Sequence, residues 1–447
     1  MTAQGDFDRE RLRRIADRER ETFVADHPKT MALLERARAH MPNGVPMAWM
    51  ASDSEPPVYI DRGEGSRFTD VDGHEYVDTN IADISMFCGY ANPAIVEAVA
   101  RRAAAGTQFL LPSEDSVWVA EELARRYPVP KWQFTLSASQ ANTEVIRVAR
   151  AATGREVVVL FDGHYHGHFD EGLIDLKDGV LTPAQRGLVK ATTSKVRIAQ
   201  MNDEDGLRGA LEPRDVAIVL TEPALTNNIH LLLPEPGWHD TLRAITRETG
   251  TVLEYDETHT HVTGPGGLTA HWNLQPDVVT IGKSVAGGIP LGAYGLTEEL
   301  AAEIDLANPK GEAATGGTLF GNPLSAAAAR ATLSEVLVSD AYAWTAKLGE
   351  RLADGIDDAI EANGLPWTTI HFWPRSGQWY GPRPTTGHDA RAITDLELTR
   401  ALRLWLANRG VWEAIPGAGP TISVPASEQD VDRYLEAYAG FLQELSG

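Results

Sequence analysis

The stretch Asp277-Val-Val-Thr-Ile-Gly-Lys-Ser-Val-Ala-Gly-Gly-Ile-Pro-Leu-Gly-Ala-Tyr-Gly295 decides how the chain is read. Val278, Val279 and Ile281 form the short apolar run of a buried strand, and Lys283 stands where that run stops. Ser284, Ala286, Gly287, Gly288, Pro290 and Gly292 follow, residues that let a backbone bend tightly and approach a ligand closely. Burial penalises a charged ammonium. A lysine here is therefore either a surface group on a Gly-rich loop or one with a chemical task. The task it suits best is attack on a carbonyl to form a Schiff base.

Upstream, Thr251-Val-Leu-Glu-Tyr-Asp-Glu-Thr-His-Thr260 is a second apolar strand, ending in Asp256 and Glu257. A carboxylate at one strand end and a lysine one strand-loop unit later match what pyridoxal phosphate requires. The Asp keeps the ring nitrogen protonated so the ring can act as an electron sink, and the Lys carries the aldehyde carbon. Asp256 could instead cap a helix or ligate a metal. No His or carboxylate cluster with metal-ligand spacing accompanies it, since His259 and His261 lie two apart in a loop-like segment, so no metal is expected there.

Three more stretches carry candidate groups. In Gln133-Phe-Thr-Leu-Ser-Ala-Ser-Gln-Ala-Asn-Thr-Glu-Val-Ile-Arg-Val-Ala-Arg150 a strand passes through small residues into a helix. Free N–H groups and the positive dipole end at such a helix start suit a phosphate, and Ser139 adds a hydroxyl. An ordinary capped helix reads the same way. Val157-Val-Val-Leu-Phe-Asp-Gly-His-Tyr-His-Gly-His168 is an all-apolar buried strand followed by an aromatic and histidine loop. The spacing of His164, His166 and His168 is unspecific for a metal. Val216-Ala-Ile-Val-Leu-Thr-Glu-Pro-Ala-Leu-Thr-Asn-Asn228 is another buried strand, ending at Glu222-Pro223.

In this order the motifs make the chain resemble a class III (omega-type) aminotransferase of the fold-type I pyridoxal phosphate enzymes, from about Met41 onward. The glutamate-1-semialdehyde aminomutase-like group and the amine transaminases are the most similar. The resemblance implies an α/β fold, with a mostly parallel seven-stranded sheet in a large domain and a smaller α+β domain drawn from both termini. It implies that Lys283 and Asp256 are catalytic, and that Ser137, Ala138 and Ser139 hold the phosphate. Tyr165 would stack on the pyridine face with His166 beside it, Glu222 would lie on the phenolic oxygen side, and Thr258 would pack under the ring. Thr318, in Gly311-Glu-Ala-Ala-Thr-Gly-Gly-Thr-Leu-Phe-Gly-Asn-Pro-Leu-Ser325, would reach the phosphate of the partner subunit, so the active site would be shared across a homodimer. Trp49 and Tyr165 would line the substrate pocket.

The chain departs from the family pattern in several places. Ala138 replaces a Gly, Gln140 a Glu and Thr258 a Val, and Thr260-His-Val-Thr263 replaces Thr-Gly-Phe-Arg. Neither the turn-rich loop Met41–Met50 nor the segment Val411–Pro425 holds an arginine, though relatives use both places to bind carboxylates. These gaps, with Trp49 and Met nearby, imply a substrate with an apolar or aromatic body. The expected activity is transfer of an amino group from an amine or amino acid to a keto or aldehyde acceptor. The alternatives are an intramolecular aminomutase, or a lyase or racemase on the same scaffold. If a carboxylate is needed on both substrates, Arg375 or Arg383 would bind it.

Composition agrees with this class. The 447 residues carry 40 basic against 63 acidic side chains, a net charge of -23, which disfavours nucleic acid and anionic membranes as partners. A single cysteine, Cys88, excludes an intramolecular disulfide and fits a reducing cytoplasm. No run of about 18 apolar residues occurs, and the charged N-terminal stretch lacks an apolar signal region. Four segments are expected: a helical arm over 1–40, a β-meander over 41–80, the large domain over 81–338, and a C-terminal small domain over 339–447. An Ala-rich helix is predicted over Leu324–Leu337. The aromatic stretch His371–Arg383, with Trp373, Trp379 and Tyr380, is expected to pack at a domain seam more than to line a pocket.

Overall fold

The computed structural model of the chain describes residues 7–52, 56–177, 179–226, 231–307, 313, 315–413 and 419–447. Parts of three quoted stretches, at 227–228, at 311, 312 and 314, and at 414–418, lie outside the described residues. The expectation about a carboxylate-binding arginine in 411–425 therefore falls partly outside them.

The chain divides into two compact units, one of residues 93–339 and 384–392, the other of 1–92, 340–383 and 393–447. The first is built on seven strands: β1 (Lys131–Thr135), β2 (Val157–Phe161), β3 (Val196–Ala199), β4 (Val216–Thr221), β5 (Val252–Asp256), β6 (Val278–Ile281) and β7 (Gly292–Leu296). Their order across the sheet is β1-β7-β6-β5-β4-β2-β3, and only β7 runs antiparallel to its neighbours. Alternation within β2 shows why its sequence is apolar throughout. Val158 and Leu160 join a core with Ala141, Val145 and Ile146 of the helix Ala138–Thr153. Val157, Val159 and Phe161 join another core with Leu242 and Ile245 of the helix Trp238–Thr249. Both faces are covered, as parallel sheets require, and each such side chain contributes about 1.5–3 kcal/mol of burial.

Because the strands other than β7 share one direction, their carboxyl ends share one edge. Along it lie Ser137 after β1, the His164–His168 loop after β2, Glu222 after β4, Asp256 at the end of β5 and Lys283 after β6. This edge is where open α/β sheets bind ligands.

The second unit holds a four-stranded sheet made of Ile60–Glu64, Arg67–Asp70, Glu75–Asp78 and the short parallel strand Val411–Trp412. Its core joins Leu12 and Ile15 from the helix Arg9–Asp26 to Leu352, Ile356, Tyr438 and Phe441. Tyr380 packs within that core, its ring 4.9 Å from Trp367. The expected boundary near residue 80 falls instead at 92. Tyr90 explains the shift: it exchanges backbone hydrogen bonds with Gly65, and its hydroxyl donates to Asp78 at 2.6 Å. The segment 384–392 returns to the larger unit, where Arg391 pairs with Asp162 and Asn202 donates to the Thr385 carbonyl.

The Ala-rich helix is shorter than predicted. It starts at Pro323, capped by Asn322 accepting from the Ser325 N–H at 2.9 Å, and runs to Ala331 before widening into a π turn over Thr332–Val336. Among the described residues, no helix is long and apolar enough to cross a membrane. Cys88 is fully buried, and burial pushes its thiol up to about 12, as expected of a packed core thiol.

Candidate active site

The end of β5 is the most heavily hydrogen-bonded point on the ligand edge. Asp256 is buried, and three donors converge on its carboxylate. Asn142 Nδ2 lies 3.0 Å and His166 Nδ1 2.9 Å from Oδ2, while the Thr258 N–H donates to Oδ1 at 3.0 Å. Burial favours the neutral acid, but the bond and attraction from His166 and the bonds from Thr258 outweigh it. The carboxyl is held below its ordinary value, so it is ionised at neutral pH.

Two buried polar atoms beside this carboxylate, Asn142 Oδ1 and His166 Nε2, have no protein hydrogen-bond partner among the described residues. Buried polar atoms are normally satisfied. Unpaired groups clustered around an ionised carboxylate fit a polar ligand with a proton-bearing ring nitrogen.

Lys283 follows β6, whose Thr280 is in register with Asp256 across the sheet. Its backbone is left-handed, at φ 52°, an uncommon state for a residue with a side chain. The side chain is half-buried and close enough to His261 to act on it. Burial, together with the charges of Lys283 and Arg126, pushes His261 down to about 3. Neutral His261 lies 3.0 Å from the Ser284 hydroxyl and adds no competing positive charge beside the lysine.

The helix start after β1 forms a close-fitting cradle. Ser137 is the N-cap and accepts from the Gln140 N–H, while Gln140 Oε1 accepts from the Leu136 N–H at 3.1 Å. Gln140 thus serves as a capping residue. The helix's first N–H groups have no partner within the helix, and those of Ala138 and Ser139 are among them. The Ser139 hydroxyl accepts from the His168 N–H at 3.0 Å, which leaves its own proton to donate. Two glycines let neighbouring segments close on this cradle. A Cβ at Gly282 would lie 3.0 Å from the Ala138 Cβ, and one at Gly292 would lie 2.4 Å from the Ser137 carbonyl carbon. Gly282 therefore gives the room that the methyl of Ala138 takes up.

The remaining expected residues are placed as follows. Tyr165 is half-buried in the loop preceding His166. Both ring nitrogens of His164 face backbone carbonyls, of Phe161 at 2.8 Å and Gly172 at 3.2 Å, and His168 is exposed. The three histidines are thus split between separate tasks. Thr318 is exposed, its carbonyl accepting from Gln108 at 2.5 Å. Trp49 belongs to the other unit, in the short helix Trp49–Ser52. Glu257 is turned away from the ligand edge and accepts from the N–H groups of Leu268 and Thr269, so its role is to cap a helix. The contacts of Asn142 and of His261 with Ser284 were not anticipated. Asn142 shares its part of the helix with polar Gln140, Thr143 and Glu144, so its position in the chain did not single it out.

Glu222 is buried, and the Thr226 hydroxyl donates to it at 2.5 Å. Burial, reinforced by the Asp256 charge, pushes its carboxyl up to about 7 against the pull of His166 and Thr226. The folded chain therefore keeps a proton that the unfolded chain releases near 4.5. Stability from this group is complete below about pH 4.5 and falls as pH rises to about 7, by on the order of 3 kcal/mol. Denaturant unfolding over that pH range should show the decline in the native chain and a smaller one in Glu222→Gln, the remainder coming from buried Glu254, Glu257 and Glu413, which burial raises as well.

The family model described as aminotransferase class-III matches residues 49–365. Glutamate-1-semialdehyde 2,1-aminomutase 2 of Brevibacillus brevis is 33% identical over 421 residues, covering 92% of this chain and 97% of the relative. The crystal structure of a glutamate-1-semialdehyde-aminomutase from Pseudomonas aeruginosa superposes with a TM-score of 0.94 at 34% identity, over 98% of this chain and 99% of that one. A variant of it has been solved in complex with PMP. An omega-transaminase from Sphaerobacter thermophilus superposes with a TM-score of 0.88 at 30% identity, over 95% of this chain and 100% of the other. The fold, the cradle and the ionised carboxylate beside a strand-end lysine agree with these matches: the chain belongs to the class-III aminotransferases, fold-type I enzymes whose cofactor is pyridoxal 5'-phosphate.

Proposed function

We propose that the chain moves an amino group from an amine or amino acid donor to a keto or aldehyde acceptor, and that its substrate has an apolar or aromatic body. The bound cofactor supplies an electron sink for the carbon bearing the amino group. The chain's residues do the rest. Lys283 Nζ takes the proton from that carbon and returns it on the way to product. Asp256, kept ionised by His166, Asn142 and Thr258, holds the proton on the ring nitrogen. Ser137, Ala138 and Ser139 would anchor the phosphate, Tyr165 would cover the ring face, Thr258 would pack under the ring, and Glu222 would stand on the phenolic side.

The observation that carries the substrate reading is the loop over residues 41–50, which the family resemblance implies lines the substrate entrance. It presents Met47, Trp49 and Met50 as exposed apolar groups and contains no arginine. A second reading, an intramolecular aminomutase, is favoured by the names of the relatives at 33–34% identity. Titrating the yellow enzyme separates the two. Bleaching by 1-arylalkylamines without amino acids supports the first. Turnover of a single diamino or amino-aldehyde substrate with no second substrate supports the second.

The same proposal includes a homodimer with Thr318 of one subunit reaching the phosphate of the other. Support comes from the exposed Phe109, Leu110 and Leu111 beside Gln108, which bonds Thr318, and from exposed Leu319. Apolar groups so clustered mark an association surface. Sizing by light scattering would test it.

A further inference from the structure

The structure gathers metal-ligating groups away from the ligand edge, in the unit that carries the N-terminal helices. We propose that His27, Asp70 and His74 form a binding site for one divalent transition cation, zinc fitting best, which fastens the N-terminal helices to the hairpin of Arg67–Asp70 and Glu75–Asp78.

One ligand atom from each of the three residues lies within 4.8 Å of the others. Asp70 Oδ2 is 3.1 Å from His27 Nε2 and 3.1 Å from His74 Nδ1. Ligands on a tetrahedral zinc with bonds of about 2.0–2.1 Å stand about 3.3 Å apart, so these atoms need to move little. Two imidazoles and a carboxylate, with a fourth position open to water, form a ligand set that zinc takes. The open side is at His74, whose side chain is 41% exposed, whereas His27 and Asp70 are buried.

Each ligand is already oriented by an outer contact, the arrangement metal sites use to fix tautomer and direction. His27 joins the helices Arg9–Asp26 and Pro28–Arg38, and its Nδ1 lies 2.6 Å from the Phe23 carbonyl. A proton donated there leaves the Nε2 lone pair to accept from the Tyr76 hydroxyl at 2.6 Å, with Asp70 Oδ2 3.1 Å away. The Phe23 ring, stacked 3.9 Å from the imidazole, holds its plane. Asp70 Oδ1 accepts the N–H groups of Asp72, Gly73 and His74 at 2.9, 2.7 and 2.9 Å, which turns Oδ2 toward the two histidines.

Tyr76 supplies the competing arrangement. Its hydroxyl is 2.6 Å from His27 Nε2 and 3.1 Å from Asp70 Oδ2, and burial beside Asp70 keeps the phenol protonated. Its one proton is shared between His27 Nε2 and Asp70 Oδ2 when no cation is bound and goes to Asp70 alone when one is. Nearby Asp26 and Asp72 make the surroundings anionic. Asp72 also provides the helix cap that His27 does not, accepting the Lys29 and Thr30 N–H groups at 2.7 and 2.9 Å. The hairpin turn is thus already seated on the helix junction, and the cation adds a second attachment there.

The test is calorimetric titration of tag-free, chelator-stripped holoenzyme with zinc chloride near neutral pH. The expected result is one equivalent per chain, a raised thermal midpoint and unchanged cofactor absorbance. Affinity should fall at least about tenfold in His74→Gln and in His27→Asn. His74→Gln removes a partly exposed side chain and keeps the comparison available if the buried His27 variant does not fold. No zinc uptake by the native chain, or equal affinity in folded His74→Gln, overturns the site.

Discussion

Lys283→Ala is expected to slow amino transfer by at least roughly 10²–10⁴-fold, the range lost when a positioned proton-transfer group is removed. The substitution tests chemistry with little effect on folding. Alanine and lysine bear the same strain at the left-handed backbone of this position, and β6 ends before it. Asp256 and the helix start proposed to cradle the phosphate stay in place, so the variant should still retain cofactor. Borohydride reduction provides a readout independent of turnover. It should fix cofactor covalently to the native chain and leave it extractable from the variant. Small added amines should restore part of the rate by supplying a base. A variant within tenfold of the native rate would remove Lys283 from the mechanism.

Asp256→Asn is expected to lower the single-turnover rate by roughly 10²–10³-fold, the scale seen when one charge-stabilising group is lost from a dry site. Three donors point at this carboxylate. An amide offers one acceptor oxygen and brings two donors of its own, so at least one N–H would face another. That mismatch should cost about 1–3 kcal/mol of stability. The neutral amide also withdraws the negative charge that keeps the ring nitrogen protonated. Asn142→Ala is the control: the carboxylate keeps two donors, and the rate should fall only several-fold. Equal losses from both variants would show that packing at the end of β5 matters more than its charge.

What the chain order reveals is mostly local. Val278 to Ile281 before Lys283, and Thr251 to Tyr255 before Asp256, announce buried strands ending at polar groups, because a sheet covered on both faces admits few polar residues until its edge. The contacts that hold Asp256 are not local. They join a helix after β1, a loop after β2 and the end of β5, so the His166 bond and the Asn142 bond exist only once the sheet order is set. The shift of the unit boundary to residue 92 rests likewise on Tyr90 reaching back to Asp78 and Gly65. The return of 384–392 to the larger unit rests on Arg391 finding Asp162. His27 and His74 show no spacing signature for the same reason: a helix junction and a hairpin turn bring them together.

The division of the chain also sets an order of events during synthesis. All seven strands of the larger unit, and with them Asp256 and Lys283, have been synthesised by Leu296. The smaller unit joins Leu12 and Ile15 to Tyr438 and Phe441 in one core, so its first segment must wait for its last. At about 5–20 residues per second, translating residues 340–447 takes roughly 5–20 s. For that interval the apolar faces of the N-terminal helices have no core to enter, while the strands that carry Asp256 and Lys283 already exist. Any aggregation during expression should therefore start from the helices around Leu12 and Phe23.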